Sequence, residues 1–368
     1  MNIADKRTPG RAAACAGLIL GKFRPRALPL LSGTLAVAAA FAAAGCSALG
    51  GGSAQNVALA GHTSDATASS TMSGSAQVTN GMAGGYQVLT LNNRHDLTFN
   101  QLLGINNEGV IAGYYGSGAG GHPNKGYVLR PPFAQGDFSR ENFPGSAQTQ
   151  VTGLNDTGIT VGFFSTMNAA NTADDNNIGF WRQDGEYHVV KYPTRHNATP
   201  SVNQLLGVNN SGTAVGFYND AKGNAHGYAY NLETGRFKMI TVDGATSLTA
   251  TAINNDGTAA GFYASAQGVT DAFIQYHHGR TFTIAFPGAS ATQAFGLNDN
   301  GEVVGAYTIG TGNNAVTHGF TWMNGTFTTV DYPKASSTTI NGVNDEGDIV
   351  GFYTDAKTNT DGFVGLPS

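Results

Sequence analysis

Cross-links and charge are both scarce in this chain. Of its 368 residues, 2 are cysteine, 12 are proline and 12% are charged. Two cysteines exclude a scaffold built on several disulfides. Glycine is abundant, with 52 residues, but lacks the three-residue period of collagen, and 20 Phe with 14 Tyr supply more large apolar surface than a disordered chain carries. No run of Lys or Arg follows Arg26, so the clustered positive charge that nucleic-acid binding by counterion release requires is missing. The Gly-Lys-(Ser/Thr) of a phosphate cradle and the Gly-x-Ser-x-Gly of a nucleophile elbow are missing too. What remains is a folded, turn-rich protein, with neither nucleic acid nor a cofactor expected.

Six of the 19 basic residues (Lys6, Arg7, Arg11, Lys22, Arg24, Arg26) precede an uncharged run from Ala27 to Gly45. A basic stretch before an apolar one reads as an export signal over residues 1–45. The run ends Ala43-Ala44-Gly45-Cys46, which resembles the lipobox of bacterial lipoprotein signal peptides, with Ala43 where Leu is usual. That resemblance implies lipid on Cys46 and so a membrane partner. Ser47 is similar to sorting patterns that lead to the outer membrane or cell surface; a periplasmic or secreted protein is the other outcome. An ordinary signal peptide and a weak membrane-spanning helix are the competing readings of the same run. The first 45 residues carry six basic residues and one acidic, so of 19 and 24 the remainder keeps 13 and 23, net −10.

Residues 46–85 are small and polar, with no aromatic. They read as a flexible tether with an r.m.s. reach of roughly 35 Å. Beyond it, over residues 86–368, one pattern recurs: LLGINNEGVIAGYY from Leu102, VTGLNDTGITVGFF from Val151, LLGVNNSGTAVGFY from Leu205, ATAINNDGTAAGFY from Ala250, AFGLNDNGEVVGAY from Ala294 and INGVNDEGDIVGFY from Ile340. Its first Asn (Asn106, Asn155, Asn209, Asn254, Asn298, Asn344) returns after 49, 54, 45, 44 and 46 residues. Periods of this size match the blades of propellers. Further β-branched and aromatic segments, such as HGFTW from His318 and TFTTVDYP from Thr326, give four strands per repeat. With His318-Gly319-Phe320, the related His226-Gly227-Tyr228 and Asp271-Ala272-Phe273, the chain resembles the HAF family of extracellular repeats, named for a His-(Ala/Gly)-Phe segment. The resemblance implies an exported β-repeat protein and brings no catalytic residues.

Asn-(Asn/Asp)-x-Gly has the residue preferences of a tight turn, and it lacks the alternating ligands and distal carboxylate of a calcium loop. Tight turns then occupy one face of the repeats and the longer connections the other. The first strand, from Tyr86, lacks a repeat of its own, and the last repeat lacks an outer strand. The expected fold is therefore all-β: a six-bladed β-propeller closed by the N-terminal strand, with an open β-solenoid as the alternative.

Each third strand opens with Lys125, Ile178, His226, Asp271, His318 or Asp361. Of these, His226, Asp271, His318 and Asp361 are candidate ligand-binding residues. Strand spacing places them about 10 Å outside the innermost strand, too far apart to share a metal ion. The innermost strands open with Gln101, Gln150, Gln204, Thr249, Gln293 and Thr339. Gln101, Gln150, Gln204 and Gln293 are candidates to hydrogen-bond a polar ligand at a channel mouth, against the plainer reading that they bond one another and channel water. Arg195 and His196 are candidate rim contacts. The function expected is an envelope-anchored binding or scaffolding module for a polysaccharide or envelope protein, held on the long-connection face. The rival is an exported hydrolase, lyase or lactonase at the channel mouth, using the His and Asp candidates.

Overall fold

The structure, a computed structural model, describes residues 80–168, 173–174, 176–194 and 200–368. The segment read as an export signal, Cys46, most of the segment read as a tether, Arg195 and His196 lie outside the described residues. A short hairpin comes first, β1 (Asn80–Ala83) and β2 (Tyr86–Thr90). Then follow β3 (Asn100–Ile105), β4 (Ile111–Tyr115), β5 (Lys125–Leu129) and β6 (Phe138–Arg140); β7 (Gln148–Leu154), β8 (Thr160–Ser165), β9 (Asn177–Gln183) and β10 (Glu186–Val190). The third and fourth groups are β11 (Val202–Val208), β12 (Thr213–Asn219), β13 (Ala225–Asn231) and β14 (Phe237–Met239); β15 (Ala245–Ile253), β16 (Ala259–Ser265), β17 (Thr270–Gln275) and β18 (Thr281–Ile284). Last come β19 (Ala291–Leu297), β20 (Val303–Ile309), β21 (Val316–Met323) and β22 (Thr326–Thr329); β23 (Ser337–Val343), β24 (Ile349–Thr354) and β25 (Thr360–Pro367). Within each group the strands pair antiparallel in sequence order, and β2 pairs antiparallel with β25 to supply the fourth strand of the last one. We call these groups units 1 to 6.

The repeated Asn explains both the turn and the contact between units. In every unit its Oδ1 accepts the backbone N–H four residues on, from Val110, Ile159, Thr213, Thr258, Glu302 and Asp348, at 2.8–2.9 Å. Its Nδ2 donates to the backbone carbonyl of the next repeated Asn. The series runs Asn106 to Asn155 (3.1 Å), Asn209 (2.9 Å), Asn254 (3.0 Å), Asn298 (3.2 Å) and Asn344 (2.9 Å), and from Asn344 back to Asn106 (3.4 Å). Only a short carboxamide carries the acceptor and the donor together; Asp has no donor to offer the neighbour.

The innermost strands β3, β7, β11, β15, β19 and β23 approach one another at Gly104, Gly153, Gly207, Ala252, Gly296 and Gly342, each at a break in the β-ladder register. A Cβ on Gly153 would lie 2.6 Å from the Leu206 carbonyl oxygen, and one on Gly342 would lie 3.1 Å from the Gly104 Cα. Small residues here let backbone meet backbone. Between units the core is made by Leu102, Val151, Leu205, Ala250, Ala294 and Ile340, all fully buried, and by third-strand rings such as Tyr127, Phe180, Phe273 and Phe320.

Two expectations need correction. Among the described residues strand pairing begins at Asn80, inside the segment read as tether to residue 85, because β1 folds back through Gly84-Gly85, both at positive φ, to pair with β2. Asn-Gly-Met-Ala contains no β-branched or aromatic residue, so the strand carries no sequence signal. The turn face is also not uniformly tight: in unit 1 the third and fourth strands are joined by Arg130 to Asp137, including a short 3₁₀ helix at Gln135–Asp137.

Candidate functional site

The long connections gather on one side, and the heads of the third strands lie there. In register, His226 sits beside Tyr218, Asp271 beside Tyr263, His318 beside Tyr307 and Asp361 beside Tyr353. Each of these tyrosines closes the repeated segment quoted above, and a ring from the preceding connection covers several of them. Tyr192 stacks on Tyr218 at 4.0 Å, Phe286 on Tyr307 at 3.6 Å and Tyr332 on Tyr353 at 3.7 Å, with interplanar angles of 15°, 4° and 4°.

In two units the stack continues into a histidine. His226 lies 5.1 Å from Tyr218 at 24°, and His318 lies 5.1 Å from Tyr307 at 23°. Each imidazole is also held by a carboxylate, His226 Nε2 by Asp220 Oδ2 at 3.1 Å and His318 Nδ1 by Asp331 Oδ2 at 2.8 Å. Hydrogen bonding from His226, then the backbone N–H groups of Asn224 and Lys222, keeps the Asp220 carboxyl well below the usual range. The histidine side chains keep 37% and 27% of their surface, so the fixed rings still present an edge to solvent.

Asp271 and Asp361 differ. Burial raises the pKa of both, and Asp361 is also approached by Asp355 while accepting a 2.5 Å hydrogen bond from Asn92 Nδ2. The four candidates are not brought together; His226, His318 and Asp361 each have a partner of their own. Among the described residues no three His, Cys, Asp or Glu side chains are grouped to hold a metal ion.

The glutamines are placed differently from a channel-mouth ring. Gln101, Gln150, Gln204 and Gln293 keep at most 8% of their surface. Gln101 accepts the Tyr114 hydroxyl at 2.8 Å, and Gln150 and Gln204 donate to Asn124 and Asn177 at 3.0 and 2.5 Å, at the mouths of the long connections. Gln150 and Gln204 thereby anchor these connections, and all four glutamines are buried.

At the opposite mouth the second residues of the six turns form a ring of their own. The backbone N–H groups of Asn107, Asp156, Asn210, Asn255, Asp299 and Asp345 each donate to the next residue's Oδ1 at 2.7–2.9 Å, ending from Asp345 to Asn107. The carboxylates there are taken up by the ring.

Two polar groups were missed at the sequence level because they fall outside the repeat. His122 Nδ1 meets the buried Asp96 at 2.7 Å on the long-connection side. Glu141, 5% exposed, accepts the Thr160 hydroxyl and lies 3.0 Å from Arg182. A lone His in a Gly-rich loop and a lone Glu in a connection have no counterparts elsewhere in the chain to draw the eye.

No protein-family model matches the sequence, and no curated protein matches it. Solved structures similar to this one are propeller-like and distant. TolB from Acinetobacter baumannii has a TM-score of 0.44 and 10% identity, over 70% of this chain and 63% of that one. AofleA from Arthrobotrys oligospora has a TM-score of 0.47 and 12% identity, over 76% and 85%. An Aleuria aurantia lectin in complex with alpha-methyl-L-fucoside has a TM-score of 0.39 and 11% identity, over 72% and 90%. This chain therefore spans less than two thirds of the TolB chain. At such scores no residue role is carried over.

Proposed function

We propose that this chain is an exported binding or scaffolding module, a closed six-bladed β-propeller of HAF-type repeats tethered through lipid on Cys46, which takes an envelope glycan or protein on its long-connection face. Closure is supported by the Asn344 to Asn106 hydrogen bond, the approach of Gly342 to Gly104 and the pairing of β2 with β25. The observation that carries the binding reading is the pair of half-exposed imidazoles, His226 and His318, each fixed from below by a stacked Tyr and from the side by a carboxylate. A ring already immobilised costs little further entropy when a ligand settles on it. The opposite mouth lacks this quality, since its donors and acceptors are consumed by the turn ring.

The test is a thermal-shift screen of the full chain against envelope polysaccharide fragments, because a ligand of the folded state raises the midpoint. For a fragment that binds, the double variant His226→Ala/His318→Ala is expected to lose affinity about tenfold or more with an unchanged circular dichroism spectrum. Undiminished binding by that variant sinks the reading. Radiolabelled palmitate incorporated by the wild type and not by Cys46→Ala is the expected result for the anchor; an unlabelled wild type removes it.

A further inference from the structure

Apart from the long-connection face, the molecule carries a second surface with its own chemistry, the turn between β17 and β18. From Ala272 to Asn298 the chain has no Asp or Glu, and within this stretch stands Tyr276-His277-His278-Gly279-Arg280-Thr281-Phe282. The corresponding turns elsewhere are acidic or neutral: Gln183-Asp184-Gly185-Glu186 in unit 2 and Met323-Asn324-Gly325-Thr326 in unit 5.

The turn is preorganised. Gly279, at φ +92°, donates to the Tyr276 carbonyl at 2.7 Å, and Tyr276 donates to the Arg280 carbonyl at 2.9 Å. Arg280 lies over the Phe282 ring at 4.4 Å, and Tyr276 meets Phe282 edge-on at 5.8 Å. His278 lies 5.7 Å from Tyr276, and His277 meets His278 at 5.1 Å. Tyr276 is rooted in the core, while His277, His278, Arg280 and Phe282 are exposed. Among the described residues no carboxylate forms an ion pair with Arg280.

We propose that this turn is a binding site for an acidic saccharide. A guanidinium held over an aromatic ring, with no carboxylate paired to it, keeps its N–H fork available to a carboxylate or sulfate. The apolar surface that Phe282 keeps exposed beside the guanidinium, flanked by Tyr276, suits the C–H face of a pyranose, and the two imidazoles add hydrogen-bond donors around it. The number of charges favours a sugar over a lipid surface. Anionic membranes are held by several clustered Lys or Arg, each contributing about 1 kcal/mol, whereas the turn has one permanent cation. The site lies on the turn side of the fold and does not depend on the long-connection reading.

Titration of the full chain with tetragalacturonate in low salt, with maltotetraose as the neutral control, tests the assignment. Saturable binding of the acidic sugar alone is expected, weakened about tenfold or more by Arg280→Gln. Phe282→Ala is expected to weaken it several-fold, while His226→Ala/His318→Ala leaves it unchanged. Both turn substitutions are at exposed positions, and an unchanged melting midpoint confirms that the fold is kept. No binding, equal binding of maltotetraose, or binding indifferent to Arg280→Gln overturns the proposal. Loss on His226→Ala/His318→Ala moves the acidic sugar to the other face. Phosphatidylglycerol vesicles bound with the same Arg280 dependence, in the absence of tetragalacturonate binding, replace the sugar with a membrane.

Discussion

The contacts between successive units are of two kinds, and they alternate. From unit 2 to 3, 4 to 5 and 6 to 1, the backbone itself crosses: β9 pairs parallel with β11, β17 with β19, and Phe99 bridges Thr360. At the same three joints one inner-strand side chain reaches forward to a backbone carbonyl, Thr152 to Leu205 at 2.8 Å, Thr251 to Ala294 at 2.9 Å and Asn341 to Leu102 at 2.9 Å. The equivalent positions of units 1, 3 and 5 hold Leu103, Leu206 and Phe295. Leu206 packs with Phe163 and Phe295 with Phe262, back across the stitched joint. The joints from unit 1 to 2, 3 to 4 and 5 to 6 have no β-bridge and no forward inner-strand bond of this kind among the described residues; across the first of them a single backbone hydrogen bond runs from the Thr149 N–H to the Asn124 carbonyl at 3.1 Å. One sequence repeat is thus one unit, while the backbone ladder joins units two by two.

Substitutions at the inner strands can break this distinction, and the largest effect is expected there. Gly153→Ala sets a Cβ 2.6 Å from the Leu206 carbonyl in a stitched joint, whereas Gly104→Ala meets nothing nearer than 3.2 Å in an unstitched one. Urea unfolding should show a loss of about 2–3 kcal/mol for Gly153→Ala and clearly less for Gly104→Ala. Equal losses would mean that the two joints are equally tight.

Thr152→Val removes the forward hydrogen bond and little volume. A loss of about 1–2 kcal/mol is expected, because the Leu205 carbonyl is left without that buried donor. Amide exchange should then quicken at β11 more than at β15. Ser247→Ala, which removes a 3.0 Å bond to the Ala225 N–H across the unstitched joint from unit 3 to 4, is expected to cost only about 0.5–1 kcal/mol.

The smallest effect is one of pH. Glu141 belongs to the unstitched joint from unit 1 to 2, and burial raises its pKa above 4.5 despite Thr160 and Arg182 beside it. Between that value and the raised one the folded state holds a proton that the unfolded chain has released, so this group makes stability fall as pH rises through the window. Asp220, on its loop, acts in the opposite sense: its lowered pKa gives stability above 3.8 that is lost as pH falls. Glu141→Gln should flatten the decline above pH 4.5 and leave the acid limb in place. A stability curve unchanged by Glu141→Gln would exclude this carboxyl as its cause.

The parts of the fold that repeat were legible in the sequence. Asn106 and its five equivalents announced the turns, and the unmatched strand at Tyr86 pointed to its pairing with β25. The unrepeated parts were opaque for physical reasons. β1 has no strand-forming residue, and the forward reach of Thr152 depends on where the ladder slips at Gly153. The candidate site was legible in position and not in partners. His226 and His318 occupy equivalent places, yet one takes its carboxylate from the loop before it and the other from the connection after it. The glutamines looked like channel polar groups because the partners of Gln150 and Gln204, Asn124 and Asn177, belong to the preceding unit, which strand alternation within one unit does not reveal.

The hairpin of β1 and β2 has a mechanical consequence. It is the first paired element among the described residues, and it is also the outer border of the last unit. A pull applied upstream of Asn80 and directed along β1 runs parallel to the ladder it shares with β2, so the load is divided over all its bonds and then passed to β25. The same pull at right angles would open the bonds one at a time, like a zip. The direction of strain on the leading segment therefore decides whether the outermost strand holds or peels.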